Sequence, residues 1–259
     1  MSDVSLRVLS GLGEFLAAEA LQRTVWGEGD KEDPADLMMV IQSEGGLVAG
    51  AFAGEDLVGY VFGFPTRETH VQHSHRLAVH PQARGAGLAV RLKFFQRSWC
   101  LSHGITLVRW TFDPLRHANA HLNMARLGAR ASTYYTNYYG AMQGINAGLP
   151  SDRLLAEWHL QDAHVDGLAR GDTPAATGLE RLPIPRDLDQ LLKDEPGLAL
   201  AERLRVRDAL QAQFAAGREI RGYDPVTCCY LLGEKPVRGE RPSTALRVSD
   251  RRGAGLRTR

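Results

Sequence analysis

The stretch from Val71 to His103 constrains this chain more than any other. Val71–Val79 alternates as a strand does, which would put Val71, His73, His75, Leu77 and Val79 on one face, and Pro81 ends it. The run Leu77-Ala78-Val79-His80-Pro81-Gln82-Ala83-Arg84-Gly85-Ala86-Gly87-Leu88-Ala89 then passes through a glycine loop straight into a helix, predicted over about Gly85 to His103. Leu88, Leu92, Phe95 and Trp99 give that helix an apolar stripe, and Gly104 sits where a left-handed cap belongs. Amides at a helix start lack partners and point outward, and the helix dipole adds partial positive charge there. Glycines at 85 and 87 let a bulky anion approach the main chain. The product is a pyrophosphate site that needs no lysine, with Arg84 available at its rim. A Rossmann loop would need a third small residue where Val90 stands, and would follow the first strand rather than the fourth. A Walker loop would need Gly-Lys-Ser/Thr, which is absent. A tight turn with no ligand is the remaining alternative.

The elements around this loop can be ordered. Ser5–Leu9 reads as a strand, and Leu12–Trp26 as a helix with Leu12, Phe15, Leu16 and Ala20 on one side. Asp33-Pro34 reads as an N-cap with proline first in a helix that Gly45-Gly46 stops. Leu47–Ala53 and Leu57–Phe64 flank Gly54-Glu55-Asp56 as a hairpin. After the central helix come a strand at Ile105–Phe112, a turn at Asp113-Pro114, and a helix to about Leu127 before Gly128. Arg130–Tyr139 and Arg153–Leu160 are two more strands. The long connection between them carries Gly140, Gly144, Gly148 and Pro150.

This combination resembles the GNAT superfamily of acyl-CoA-dependent N-acyltransferases. Gln82-x-x-Gly85-x-Gly87 is similar to its Q/R-x-x-G-x-G/A signature, and the preceding Leu-Ala-Val-His-Pro is similar too. The resemblance covers roughly residues 5–160, and the order β-α-α-β-β-β-α-β-α-β-β agrees throughout. It implies an α/β (mixed α+β) fold with a central, mostly antiparallel sheet flanked by helices, here with a small C-terminal αβ extension. His73-Ser74-His75, Thr111-Phe112-Asp113-Pro114, Asn137-Tyr138-Tyr139-Gly140 and Gly148–Arg153 further resemble a poorly characterised bacterial branch of the superfamily. Relatives there that acylate amino acids from succinyl-CoA add succinyl-CoA to acetyl-CoA as a donor to consider. The implied placement puts pantetheine along Leu77, Ala78 and Val79, and the pyrophosphate on amides from Ala83 to Leu88 with Gln82, Arg84, Gly85, Ala86 and Gly87 around it. The thioester would then lie near the helix holding Asn119 and Asn123.

N-acyl transfer needs a neutral amine, so a base must take a proton from an ammonium near pH 7. The family's strand-borne base corresponds to His73, and His75 on the expected same face is the second candidate; imidazole titrates in the right range. Both read equally well as hydrogen-bonded structural histidines. Many relatives carry a tyrosine four residues before the glycine that ends the fourth helix, where it can protonate the thiolate. Here that position is Met124, which cannot donate. Asn123, Tyr138 and the neighbouring Tyr134, Tyr135 and Tyr139 are the candidate donors, with strand packing as the alternative for the tyrosines. His117 and His121 have the i, i+4 spacing of zinc ligands but lack a third ligand, so no metal is expected. Arg67, Arg76, Arg109 and Arg116 are candidates for gripping a carboxylate or for surface ion pairs. Cys228 and Cys229 read as neighbours on opposite faces of a strand.

The domain reading is 1–160 acyl-CoA-binding, 161–177 linker, 178–232 a small αβ segment, and 233–259 a disordered basic tail with eight basic against three acidic residues. The segment is small for independent stability, so it should pack on the first domain or on a partner subunit. Of 259 residues, 44% are hydrophobic and 31 basic residues balance 30 acidic ones, so nothing global calls for nucleic acid or membrane. Three cysteines without C-x-x-C spacing and no secretory leader fit a reducing cytoplasm. Two functions fit: an acyltransferase acting on a small-molecule amine, with a homodimer expected, and a non-catalytic acyl-CoA sensor or scaffold.

Overall fold

The computed structural model describes residues 4–27, 30–140, 148–172 and 179–235. Its strands are β1 (Val4–Val8), β2 (Leu47–Ala53), β3 (Asp56–Pro65), β4 (Val71–Val79), β5 (Leu107–Phe112), β6 (Arg130–Tyr135), β7 (Arg153–His159), β8 (Glu180–Pro183), β9 (Arg218–Asp224) and β10 (Cys229–Glu234). They form one sheet in the order β1-β2-β3-β4-β5-β7-β6-β9-β10-β8. Every pairing is antiparallel except β4 with β5. The helices are α1 (Gly11–Trp26), α2 (Ala35–Ser43), α3 (Leu88–Ser102), α4 (His117–Ala120), α5 (Ala163–Arg170), α6 (Leu188–Asp194) and α7 (Pro196–Ala215). This is the mixed, mostly antiparallel architecture that the resemblance implies.

Two apolar layers clamp the first four strands. Phe15 and Ala18 of α1 and Met38 of α2 pack on Val48, Tyr60, Phe62 and Ala78. Leu88 and Leu92 of α3 pack on Leu47, Ala49, Ala51 and Val61 from the other face, with Phe95 and Trp99 partly buried beside them. Thus the expected α3 stripe is present. A second buried row on α3, Lys93, Gln96 and Cys100, was not foreseen.

Several expectations change. Residues 161–177 are not all linker: Asp162 caps α5 by accepting from the His164 amide at 2.9 Å, and Val165 enters the core. The C-terminal segment packs in cis, since β9 meets β6 at Ala131↔Ile220 and Leu182, Val206, Leu210 and Tyr230 share one core with Val108, Trp110 and Leu154. It also contains α6, absent from the sequence reading. Its last strand starts at Cys229, because Asp224 accepts from the Val226 amide at 2.9 Å and holds a turn that ends at Cys228, φ +54°. Cys228 therefore lies outside the strand. Residues 233–234 belong to β10 rather than to a tail; the rest of the expected tail from 236 on, and residues 141–147 of the β6–β7 connection, lie outside the described residues.

Salt bridges tie the C-terminal unit to the end of β5. Arg203, 1% exposed on α7, donates through both terminal nitrogens to Asp113 at 2.9 and 2.7 Å. Arg207 grips Asp152 in the same bidentate way, and Tyr134 donates to that carboxylate at 2.6 Å. No helix among the described residues is long and apolar enough to cross a membrane.

Candidate active site

The site starts where the parallel pair, the only one among the described residues, comes apart. β4 and β5 pair at Val71↔Leu107, Gln72↔Val108 and His73↔Arg109 and no further, although β4 runs on to Val79 and β5 to Phe112. A cleft of about 760 Å³ fills the opening, lined along β4 from His73 to Val79 and across it by Trp110, Asn119 and Asn123. Strand main chain along this edge has no strand partner, so an extended, amide-bearing ligand arm can hydrogen-bond to it as a strand would.

The loop at the cleft's end has the form expected, with a shifted helix start. A short 3₁₀ turn occupies Pro81–Ala83, and α3 begins at Leu88 rather than Gly85. Gly85 (φ +84°) and Gly87 (φ +72°) both adopt left-handed backbone, which explains why the helix cannot begin earlier and why glycine stands there. The Gln82 amide donates to His80 Nδ1, and the Ala83 and Arg84 amides donate to His80 and Pro81 carbonyls. Those three amides are therefore taken. The amides left for an anion are those of Gly85, Ala86 and Gly87 and the first of α3, including Leu88. Arg84 stands at the rim, its Nε 3.4 Å from the Val79 carbonyl.

A bulge in β4 sets which side chains meet. Phe62 faces Arg76 and Gly63 faces Ser74, leaving His75 as the extra residue. The alternation reverses there. His73 and His75 share the α1–α2 face with Arg76 and Ala78, while Leu77 and Val79 pack toward α3 together with Ser74. The expectation that His73, His75, Leu77 and Val79 share one face fails for this reason.

On the α1–α2 face, Asp33 accepts from Arg76 Nε at 2.9 Å and lies 3.2 Å from His75 Nε2. Asp33 therefore does not cap α2; Pro34 holds that position, and Glu19 takes the Ala35 amide at 2.9 Å. Burial pushes the Asp33 carboxyl up, but the His75 and Arg76 contacts outweigh it and hold it below the ordinary carboxylate range. An ionised carboxylate only accepts, so in this contact His75 Nε2 is the donor. Burial, then the like charges of His75, Arg109 and Lys93, pull His73 down to about 4, so it is neutral at pH 7 and a weak base. Its ring stacks on Phe64 at 4.8 Å.

The other candidates sort by position. α4 passes into a π-helical turn over His121–Arg126, closed by the Leu127 amide on the Leu122 carbonyl at 3.0 Å. Asn119 and Asn123 both line the cleft, and Met124 is buried in the core. Tyr138 is exposed, its ring against Tyr135 and Tyr139, and does not line the cleft; Tyr139 does, with its hydroxyl 3.4 Å from Thr111 Oγ1. Arg76 is committed to Asp33, Asp30 and the Lys31 carbonyl, Arg109 to Glu68 and Arg116 to Asp189, while Arg67 is exposed in the β3–β4 connection. His117 Nδ1 pairs with the Tyr223 hydroxyl at 2.8 Å, and no cluster of three metal-ligating side chains occurs among the described residues. The mouth opens into a second pocket of about 590 Å³ whose far wall, Arg186 to Asp189, comes from the C-terminal unit. Nothing in the local sequence announces Asp33 as a partner of His75, 42 positions away, or this wall.

Residues 14–128 match the family model described as the acetyltransferase (GNAT) family. Among curated proteins no relative matches. The ribosomal-protein-S18-alanine N-acetyltransferase from Escherichia coli is 15% identical, with 62% of this chain and 96% of that one covered at a TM-score of 0.51. An N-acetyltransferase from Staphylococcus aureus Mu50 is 15% identical over 62% and 100% of the two chains, TM-score 0.51. The protein yncA from Salmonella typhimurium, solved with its cofactor acetyl-CoA, is 15% identical over 62% and 96%, TM-score 0.50. At such identities the likeness is one of fold. With the family match, the parted strands and the glycine loop together, residues 14–128 are a domain of the acetyltransferase (GNAT) family.

Proposed function

We propose that the protein transfers an acetyl or succinyl group from CoA to the amine of a small molecule, an amino acid being the first class to try. The observation that carries this reading is the parting of β4 from β5 beyond His73, directly beside free helix-start amides at Gly85–Leu88. Pantetheine lies along Leu77, Ala78 and Val79 in this reading, and its pyrophosphate lies on the glycine loop. Asn119 and Asn123 face it from α4 and the following turn.

His75 is the proton acceptor in preference to His73. Asp33 holds it through Nε2, which leaves Nδ1 as the ring nitrogen for the acceptor amine on a side chain lining the cleft. The acceptor amine approaches from the α1–α2 face, between Trp26, Asp30 and His75. Homodimerisation is part of the reading, supported by Leu12, Leu16, Leu37 and Val40, each about half exposed on α1 and α2; sedimentation at micromolar concentration checks it. The three free cysteines support a reducing cytoplasm.

The test is thiol release from acetyl-CoA and succinyl-CoA against amino acids, polyamines and aminoglycosides. Turnover with at least one pair is expected. Binding of CoA without turnover against any of them would leave the sensor or scaffold reading instead.

A further inference from the structure

On the α3 side of the cleft's apex lies a polar network that the proposed chemistry leaves unused. Lys93 is 2% exposed, and its Nζ donates to Ser74 Oγ at 3.0 Å and to Gln96 Oε1 at 2.8 Å. The ammonium sits 3.9 Å from the Trp110 ring centroid and 5.2 Å from that of Trp158. Gln96 in turn donates to Gln72 Oε1 at 2.7 Å, which also receives the Cys100 thiol at 3.3 Å. Gly63 makes the space, since a Cβ there would stand 2.6 Å from Gln72 Oε1. No carboxylate faces Lys93 among the described residues. The titratable groups around it are Cys100, whose thiol burial pushes up to about 12, and His73 across β4.

A lysine buried without a counter-ion is costly, because desolvation is not repaid by an opposite charge. Of its two hydrogen-bond partners, Ser74 alone lines the cleft, immediately past the last paired residues of β4 and β5. The Ser74 proton points to Gln96 Oε1 over 3.3 Å, long for a hydroxyl bond, so turning it toward a ligand loses little. Other cleft groups cannot do the same work. Asn123 donates hydrogen bonds but does not release a proton. Tyr139 enters beside Thr111, whose side chain leaves β5 on the face opposite Trp110.

We propose that Ser74 Oγ, backed by Lys93, protonates the departing thiolate of CoA, with Ser74 the catalytic residue and Lys93 the positioning residue behind it. The inference rests on the acyltransferase reading above. As the amine nitrogen bonds to the acyl carbon, the C–S bond breaks and its electron pair goes to sulfur. The Ser74 hydroxyl proton passes to that sulfur, and a proton from the Lys93 ammonium replaces it on Oγ. Lys93 is left neutral and regains a proton from water once CoA departs. The proton of the acceptor amine leaves separately, to His75 on the opposite face. Burial pulls Lys93 down to about 7, which suits a group that must give up and regain a proton near neutral pH.

The test uses the full chain, saturating acetyl-CoA, and the amine of the amino-acid, polyamine and aminoglycoside panel that the wild type acylates fastest. Ser74→Ala and Lys93→Met are each expected to lower kcat by about 30-fold or more, with KM for acetyl-CoA within about threefold, and the double variant should be no slower than the worse single one. Wild-type kcat should fall as pH rises above about 7, where Lys93 loses its charge, and Lys93→Met should lack that fall. Lys93→Gln keeps a donor for Ser74 but releases no proton, so it should be as slow as Lys93→Met. The proposal is overturned if Lys93→Gln or Ser74→Ala stays within about threefold of wild type, if Lys93→Met keeps the alkaline fall, or if Tyr139→Phe carries the defect instead. Should Lys93→Met fail to fold by circular dichroism, Lys93→Gln and Ser74→Ala decide. A wild type that gains thermal stability with CoA yet acylates no amine would sink the acyltransferase reading first and this relay with it; turnover with unaffected variants would sink the relay alone.

Discussion

The two faces of β4 at the cleft's apex treat charge in opposite ways. Toward α1 and α2, Arg76 meets Asp33 and Asp30, and His75 meets Asp33. Toward α3, Lys93 meets only a hydroxyl, an amide and two indole rings. One extra residue in the strand separates the two environments by a few ångströms. The difference teaches that proton affinities in this cleft are set by which partners each face provides: carboxylates hold charge on one side, while dry neutral dipoles loosen it on the other.

The sharpest way to break the comparison is to remove the charged face's imidazole. His75→Ala is expected to lower kcat by about 10²–10⁴-fold while leaving CoA affinity unchanged, checked by steady-state kinetics beside calorimetric CoA titration. Next in size is the loss of the buried cation. The folded Lys93 titrates near 7, well below its unfolded value, so the unfolded state binds more protons between those two pH values. Its destabilisation is thus full below pH 7 and fades as pH rises toward about 10.4. Lys93→Met should stabilise the fold at pH 6 by on the order of 3–5 kcal/mol, an advantage that shrinks toward pH 10 in denaturant titrations. Arg76→Met, which strips a paired cation from the other face, should instead destabilise at every pH from 6 to 10.

Gly85→Glu tests the loop without touching either face. A strained left-handed backbone and a like charge beside the diphosphate should weaken CoA binding by about 100-fold in a thermal-shift titration. The smallest expected effect separates the two histidines. His73→Gln should change kcat less than about fivefold and leave the acid limb of its pH profile in place, because a ring already neutral at pH 6 has little proton to exchange.

What was legible in the sequence followed locality. The glycine loop, α3 and the succession of elements along the chain are written in contiguous residues, so turn chemistry and periodicity reveal them. Asp33 beside Pro34 looks like a helix cap from its neighbours alone; its engagement with His75 and Arg76 comes from sheet registry more than forty positions away. The bulge at His75 has no marker in a run of ordinary strand residues, yet it reverses every side chain after it. Lys93 and Gln96 fell outside the apolar stripe of α3, and only the network around Gln72 explains their burial. Cys228 and Cys229 look like strand neighbours, but the polar turn that Asp224 holds leaves Cys228 outside the strand.

The Arg203–Asp113 pair joins residues ninety positions apart. During synthesis, the groove's β5 rim emerges from the ribosome ninety residues before the guanidinium that will clamp it, so the mouth of the molecule is assembled only after α7 has followed. A chain released early, or nicked ahead of α7, carries the nucleotide loop intact but an unanchored gateway.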